Sequence, residues 1–200
     1  EVHDPASPGG RVGKPADLGE LAGLEAGAGF TMADGREPFH AEKAYKDSKL
    51  CNLLFARELA RRLERRGTPM AVLAWSPGLV IPRGEGGFFR TSQRHNPWGQ
   101  RLFALIARDL LRLTASPQEA GRLLAELATG PEPEVQGGAE AAAGPPRGFY
   151  YRSNQVLGPG RRRFGPALPS AAARDDLLAS RLWEVSAALV GLPAELPART

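Results

Sequence analysis

Tyr45 and Lys49 stand four residues apart in the run Tyr45-Lys-Asp-Ser-Lys-Leu-Cys-Asn52, at the head of a segment with helical periodicity. On a helix that spacing sets the two side chains on one face, a turn apart. A phenol ordinarily titrates near ~10, and a fixed ammonium a few ångströms away favours its ionised form. Such a pair makes a phenol a usable proton donor near neutral pH. The bare Tyr-x-x-x-Lys pattern is short, and a solvated lysine beside a half-buried tyrosine gives the same spacing. Cys51 follows in the same run, about 120° around a helix from Tyr45 at ~3.6 residues per turn. It reads equally as a contact to a large ligand that laps the helix flank and as a small buried apolar side chain.

The elements that must carry these groups are legible in outline. Residues 44–66 make the clearest helix, with Leu50, Leu53, Leu54, Leu59 and Leu63 as its apolar stripe. Arg57, Arg61, Arg62, Arg65 and Arg66 form its expected wet face, and Gly67 ends it. Met70–Trp75 reads as a short strand, apolar on both faces as in parallel sheets. Residues 98–113 and 117–128 are expected helices, Phe149–Tyr151 a last short strand, and 174–190 the closing helix. Residues 1–40 are rich in Gly, Pro and Ala without a sustained period, and 130–147 is low-complexity loop. Over 86–113, the apolar face of Trp98, Leu102, Phe103, Leu105, Ile106, Leu110 and Leu113 fits packing on a sheet, gripping a flat ligand or resting on a membrane. Periodicity favours packing.

Composition narrows the function classes. The 200 residues are 42% hydrophobic with a formal charge of +4, enough for one domain with a core. No apolar run approaches the ~18 residues of a membrane-spanning helix. One cysteine excludes an intrachain disulfide framework, and with only His3, His40 and His95 no metal site is expected. Four lysines, at 14, 43, 46 and 49, stand among 26 basic residues, so the chain otherwise uses arginine. A lysine kept at 49 is then chemically informative, because a compact ammonium reaches ribose hydroxyls and a phenol where a guanidinium does not fit. Arg161-Arg-Arg163 reads as a solvated turn in a Gly/Pro-rich loop, and no nucleic-acid partner is expected.

The Tyr/Lys run resembles the active-site helix of the short-chain dehydrogenase/reductase superfamily. The longer string is more specific: Thr31-Met-Ala-Asp-Gly35, then Lys43-Ala-Tyr-Lys-Asp-Ser-Lys-Leu-Cys-Asn52, Arg57-Glu-Leu and Arg61-Arg. It is similar to the light-dependent NADPH:protochlorophyllide oxidoreductases of plastids and cyanobacteria. Ala16–Gly27 resembles that family's insertion before the active-site tyrosine, and Ser76-Pro-Gly78 its turn after the next strand. Ser116–Gly121, Leu182–Ser186 and Leu189–Leu192 resemble its C-terminal helices, so the likeness runs from about residue 12 to 192.

The resemblance implies an α/β fold, the C-terminal half of a Rossmann-like doubly wound parallel sheet whose N-terminal nucleotide-binding strands are missing. It implies one partial domain: an insertion over 1–43, the active-site helix and strand over 44–78, and a substrate lid and helices over 79–128. A loop over 129–148 and a C-terminal strand and helix over 149–200 complete it. It further implies light-driven reduction of a ring double bond in protochlorophyllide, with NADPH as hydride source. Tyr45 would be the proton donor or a pigment-orienting phenol and would line the cofactor with Lys49. Lys49 would bind the nicotinamide ribose and lower the Tyr45 pKa. Cys51 would contact the pigment and serve as a second catalytic group for proton delivery. Pro77, Gly78 and Val80 would line the nicotinamide, with Pro82 and Arg83 standing where the family has hydroxyls. Phe88 and Phe89 would touch the pigment at the start of the lid. Self-association, contact with plastid membranes and a plastid location are also implied.

Several family elements are absent from the string. No Gly-rich turn follows an apolar strand, and Val2 stands where a catalytic hydroxyl is expected. The chain is therefore expected to be a partial reductase, poorly stable by itself because Met70–Trp75 lacks sheet neighbours. An ordinary carbonyl or retinol-type dehydrogenase shares the Tyr/Lys pair. A non-catalytic pigment-binding remnant would tolerate the missing turn.

Overall fold

The computed structural model describes residues 3–27, 32–36, 38–82, 97–130 and 148–197. Val2, Phe88, Phe89 and the low-complexity stretch 131–147 lie outside the described residues. The fold is α/β, with a three-stranded mixed sheet in the order β1-β2-β3 among the described residues. In chain order come α1 (Pro8–Arg11), α2 (Ala22–Glu25), α3 (Ala41–Arg65) and β1 (Ala71–Ser76). Then follow α4 (Pro97–Ala104) with a π-helical continuation over Leu105–Leu110, α5 (Pro117–Thr129), β2 (Gly148–Gly158), β3 (Arg161–Pro166) and α6 (Asp176–Leu189).

The chain forms two compact units. The first comprises residues 1–74, 137–151 and 168–200; the second comprises 75–136 and 152–167. The core of the first is made by Leu18, Leu21, Leu50, Leu53, Leu54 and Leu182, so the segment before α3 contributes as well as α3 and α6. Gly23 lets that segment fold back on itself. Its N–H donates to the Ala33 carbonyl at 3.0 Å, and a Cβ there would collide with the Met32 carbonyl.

Helix α3 begins earlier than the leucine period predicts, because His40 Nδ1 accepts the Lys43 N–H at 3.3 Å and caps the first turn. It ends as expected. Gly67 takes φ 68°, its N–H bonds the Glu64 carbonyl and the Thr68 N–H bonds the Leu63 carbonyl, which is a Schellman stop. The expected wet face is wrong at Arg62, which is buried. Arg62 Nε donates to Glu58 Oε1 at 2.7 Å, and its guanidinium lies 5.0 Å over the Trp183 ring. Glu58, itself fully buried, made this inward turn necessary: a buried carboxylate requires a cation.

The strands depart further. β1 is not buried on both faces: among the described residues it stands at the end of the strand order, and Leu73 is exposed. The last strand is not a three-residue stub. β2 runs to Gly158 and pairs antiparallel with β3, in a register from Arg152 opposite Pro166 to Gly158 opposite Arg161. Arg161-Arg-Arg163 thus opens a strand rather than a solvated loop. Arg162 gives the reason. It forms a bidentate pair with Glu119 (Nε–Oε1 3.1 Å, Nη2–Oε2 2.7 Å) and donates to the Thr114 carbonyl at 2.7 Å.

The apolar face predicted over 98–113 is present but is not core. Its buried members are Ala104 and Ala107, against Ile81, while Trp98 is 81% and Leu110 72% exposed. Among the described residues no helix is long and apolar enough to cross a membrane.

Candidate functional site

The first unit brings Tyr45 and Lys49 together on one face of α3. Lys49 Nζ lies 5.0 Å from the Tyr45 ring centroid, and the ring is 40% exposed. That is the cation-over-ring geometry expected of an i, i+4 pair, with the phenol presented outward. Ser48 Oγ closes onto the Tyr45 carbonyl at 2.7 Å, keeping a short polar side chain bonded within the helix.

The buried sides of α3 hold the anchors. Lys43 and Lys46 are each 3% exposed, and Asp47 is buried beside them. Lys43 Nζ donates to Asp47 Oδ2 at 2.8 Å and to the Asp17 carbonyl at 2.6 Å, with Asp34 Oδ2 at 3.2 Å. Asp47 Oδ1 accepts the Asp17 N–H at 2.9 Å. Burial works to lower the Lys43 pKa, but its hydrogen bonds and ion pairs with Asp47 and Asp34 outweigh that and raise it. For Asp47 burial prevails over the bond from Lys43, and its carboxyl sits above the usual range. Lys46 Nζ donates to the carbonyls of Gly10 (3.3 Å), Val12 and Lys14 (3.0 Å), and faces Glu42 Oε1 at 3.3 Å.

Cys51 is half-buried and packs against the leucine core. Burial, followed by the nearby Asp47 charge, pushes its thiol up to about 11, so it keeps its proton near neutral pH. The apolar-contact reading of this residue has the support of that environment.

Pro77, Gly78 and Val80 belong to the second unit. The turn they form is buttressed from behind. Buried Asn154 donates Nδ2 to the Pro77 carbonyl at 3.2 Å, and Glu119 Oε1 lies 3.4 Å from the same nitrogen. Gly78 takes φ 79°, where a Cβ would press within 3.1 Å of the Asn154 carbonyl. The Ala115 N–H bonds the Leu79 carbonyl at 2.8 Å, and peptide planarity then points the Val80 N–H to the other side of the strand. An outward backbone amide at Val80 is the group that could hold a carboxamide. Sequence reasoning missed Asn154, which reaches the turn, and Glu119 and Arg162, which stand behind it, because the three meet only through long-range pairing.

No family model matches the chain. The chain is similar to the chloroplastic protochlorophyllide reductase of Chlamydomonas reinhardtii, 34% identical over 187 residues, which cover 92% of this chain and 41% of that protein. It is 33% identical to chloroplastic protochlorophyllide reductase A of Oryza sativa subsp. japonica, over 92% of this chain and 42% of the relative. The Avena sativa protochlorophyllide reductase is 32% identical over 92% of this chain and 52% of its own length. The chain thus spans about half or less of these curated relatives. A solved structure of an uncharacterized protein from Mycobacterium paratuberculosis aligns with 82% of the chain at 22% identity and a TM-score of 0.45, too low to argue from.

Proposed function

We propose that this chain, a C-terminal portion belonging to the protochlorophyllide reductase family, carries the proton-donating part of a light-driven, NADPH-dependent reduction of protochlorophyllide to chlorophyllide. The observation that carries the reading is the Lys49 ammonium 5.0 Å from the ring of an outward-facing Tyr45. Hydride and proton add across one carbon–carbon double bond of the pigment, and the Tyr45 hydroxyl gives the proton. NADPH, when bound, supplies the hydride.

By the family resemblance each unit would offer groups to that cofactor. Lys49 offers an ammonium for ribose hydroxyls, and the Gly78 turn and Val80 N–H offer backbone for the carboxamide. No Gly-rich strand-to-helix turn lies among the described residues, so the pyrophosphate has no cradle there. Cys51 contacts the pigment as a protonated thiol. Phe88 and Phe89 supply further apolar contact. By the same family reading the protein works in plastids, contacts their membranes and self-associates.

The test is absorbance of the full-length protein with protochlorophyllide and NADPH. The expected result is conversion to a red-shifted band in light and none in darkness. Tyr45→Phe should then lower turnover by roughly 10²–10⁴-fold, the span of a positioned general acid. Pigment binding without photoconversion would instead mark a non-catalytic scaffold. Dark reduction of small carbonyls without pigment binding would mark a generic dehydrogenase.

A further inference from the structure

Lys43 and Lys46 take no part in that chemistry, yet both are nearly inaccessible and bonded to the segment preceding α3. Between Ala41 and Lys49 the buried residues of α3 are Lys43, Lys46 and Asp47; its first buried apolar side chain is Leu50. The stretch that carries Tyr45 is therefore held by hydrogen bonds and ion pairs rather than by apolar packing. The distinction matters because apolar contact is non-directional, whereas hydrogen bonds weaken steeply with misalignment.

The partners fix a definite frame. Lys46 meets the carbonyls of Gly10, Val12 and Lys14, and Lys43 meets Asp17, Asp34 and Asp47. That segment is itself held in the core by Leu18, Leu21 and Ala33. Three rotatable ammonium donors can converge on three carbonyls, which a planar guanidinium cannot. The retention of lysine at 43 and 46, in a chain otherwise rich in arginine, accords with that requirement.

We propose that Lys43 and Lys46 are positioning residues. They lock residues 10–17 and Asp34 to the first turns of α3 and thereby set the rotation of the helix about its axis. At ~100° per residue Lys43 and Asp47 lie about 160° around α3 from Tyr45 and Lys46 about 100°, so the clamp grips faces of the helix that turn away from the ring. A rotation of ~10° moves a group about 6 Å from the axis by about 1 Å. Misplacement of that size can lower a rate by ~10²-fold. The inference rests on Tyr45 as proton donor for its kinetic consequence, and its structural content stands apart from that reading.

The test is made on the full-length protein with Lys46→Arg and Lys43→Arg, which keep charge and lose shape, and with Lys46→Met, which keeps the stem and loses charge. Two readouts are taken well below each thermal midpoint: photoreduction per folded molecule, and the Tyr45 ring resonance in ¹³C-tyrosine-labelled protein, assigned by its loss in Tyr45→Phe. The expected result is kcat lowered by ~10²-fold with pigment KM changed less than about 3-fold, and a displaced Tyr45 resonance. A lower thermal midpoint alone, with kcat of the folded fraction and the Tyr45 resonance unchanged, would overturn the proposal and leave the lysines merely structural. Should the lysine variants not fold, Asp34→Asn, which spares the Asp17 and Asp47 contacts of Lys43, decides on the same two readouts. Absence of photoreduction in the wild type would sink the functional reading instead, while the resonance would still judge the clamp.

Discussion

The two units solve opposite problems. The first buries charge: Lys43, Lys46, Asp34, Asp47, Glu58 and Arg62 are all inside, each with named partners, next to a leucine core. The second does the reverse. Its small core of Ile81, Ala104 and Ala107 lies beneath a helix whose large apolar side chains face outward. A buried charge survives only where partners are fixed, so the first unit must be stiff around α3. Exposed apolar surface carries no such demand, and it is expected where a ligand or another surface comes to rest.

The strongest way to break this contrast is to compare truncations in the two cores. Leu54 is fully buried among leucines, and Leu54→Ala should cost about 2–5 kcal/mol. Ile81 is nearly as buried, but among the described residues its buried neighbours are Ala104 and Ala107, and Ile81→Ala should cost about 2 kcal/mol, the low end of the same range. Chemical denaturation followed by tryptophan fluorescence measures both. Equal losses would mean that the second unit has a core as consequential as the first.

A smaller effect separates the units by pH. Burial works to raise the Glu119 pKa, but the bonds from Arg162 and Asn154 outweigh it and hold the carboxyl below its usual range. A depressed carboxyl stabilises fully above its unfolded pKa, near 4.5, and that contribution is lost as pH falls through the lower folded value. Asp47 in the first unit has the opposite sign: its raised pKa means that protonation on mild acidification favours the folded state. Protection against amide exchange, relative to the unfolded chain at the same pH, should therefore fall in β2 and β3 below about pH 4.5 before it falls in the first turns of α3. Glu119→Gln should remove the acid sensitivity of the hairpin. Protection that falls first in α3 would reverse the assignment.

What the sequence revealed follows the same division. The Tyr45–Lys49 pair and the end of α3 at Gly67 are local, set by residues within a turn or two, and both were legible. The clamp was not. Lys43 and Lys46 reach partners 26 to 36 residues earlier in a stretch without periodicity, so only their being lysines at all gave a sign. β3 was hidden for a similar reason: Arg161-Arg-Arg163 has the look of a solvated turn, and the Glu119 that draws Arg162 inward stands 43 residues away. Arg62 was misplaced because a period of leucines says nothing about a buried Glu58 that needs a cation. Chemistry carried by helical spacing can be read from the string, whereas the groups that aim it come from contacts that only folding brings together.

The smallest expected effect sharpens the contrast most. If the outward face of α4 and its π-helical continuation is contact surface rather than core, removing its largest side chains should scarcely touch stability. Trp98→Ser and Leu110→Ser, at positions 81% and 72% exposed, should each shift unfolding by no more than about 0.5 kcal/mol. The same changes should weaken pigment binding if the face grips the substrate, a fall read directly by titrating protochlorophyllide in the dark. A stability loss of about 2 kcal/mol or more at either position would return these side chains to the core, as their period first suggested. Unchanged stability together with unchanged pigment binding would leave the face to some other surface. The contrast between a rigid, charged frame and an adaptable apolar one would then hold for the fold but not for the reaction.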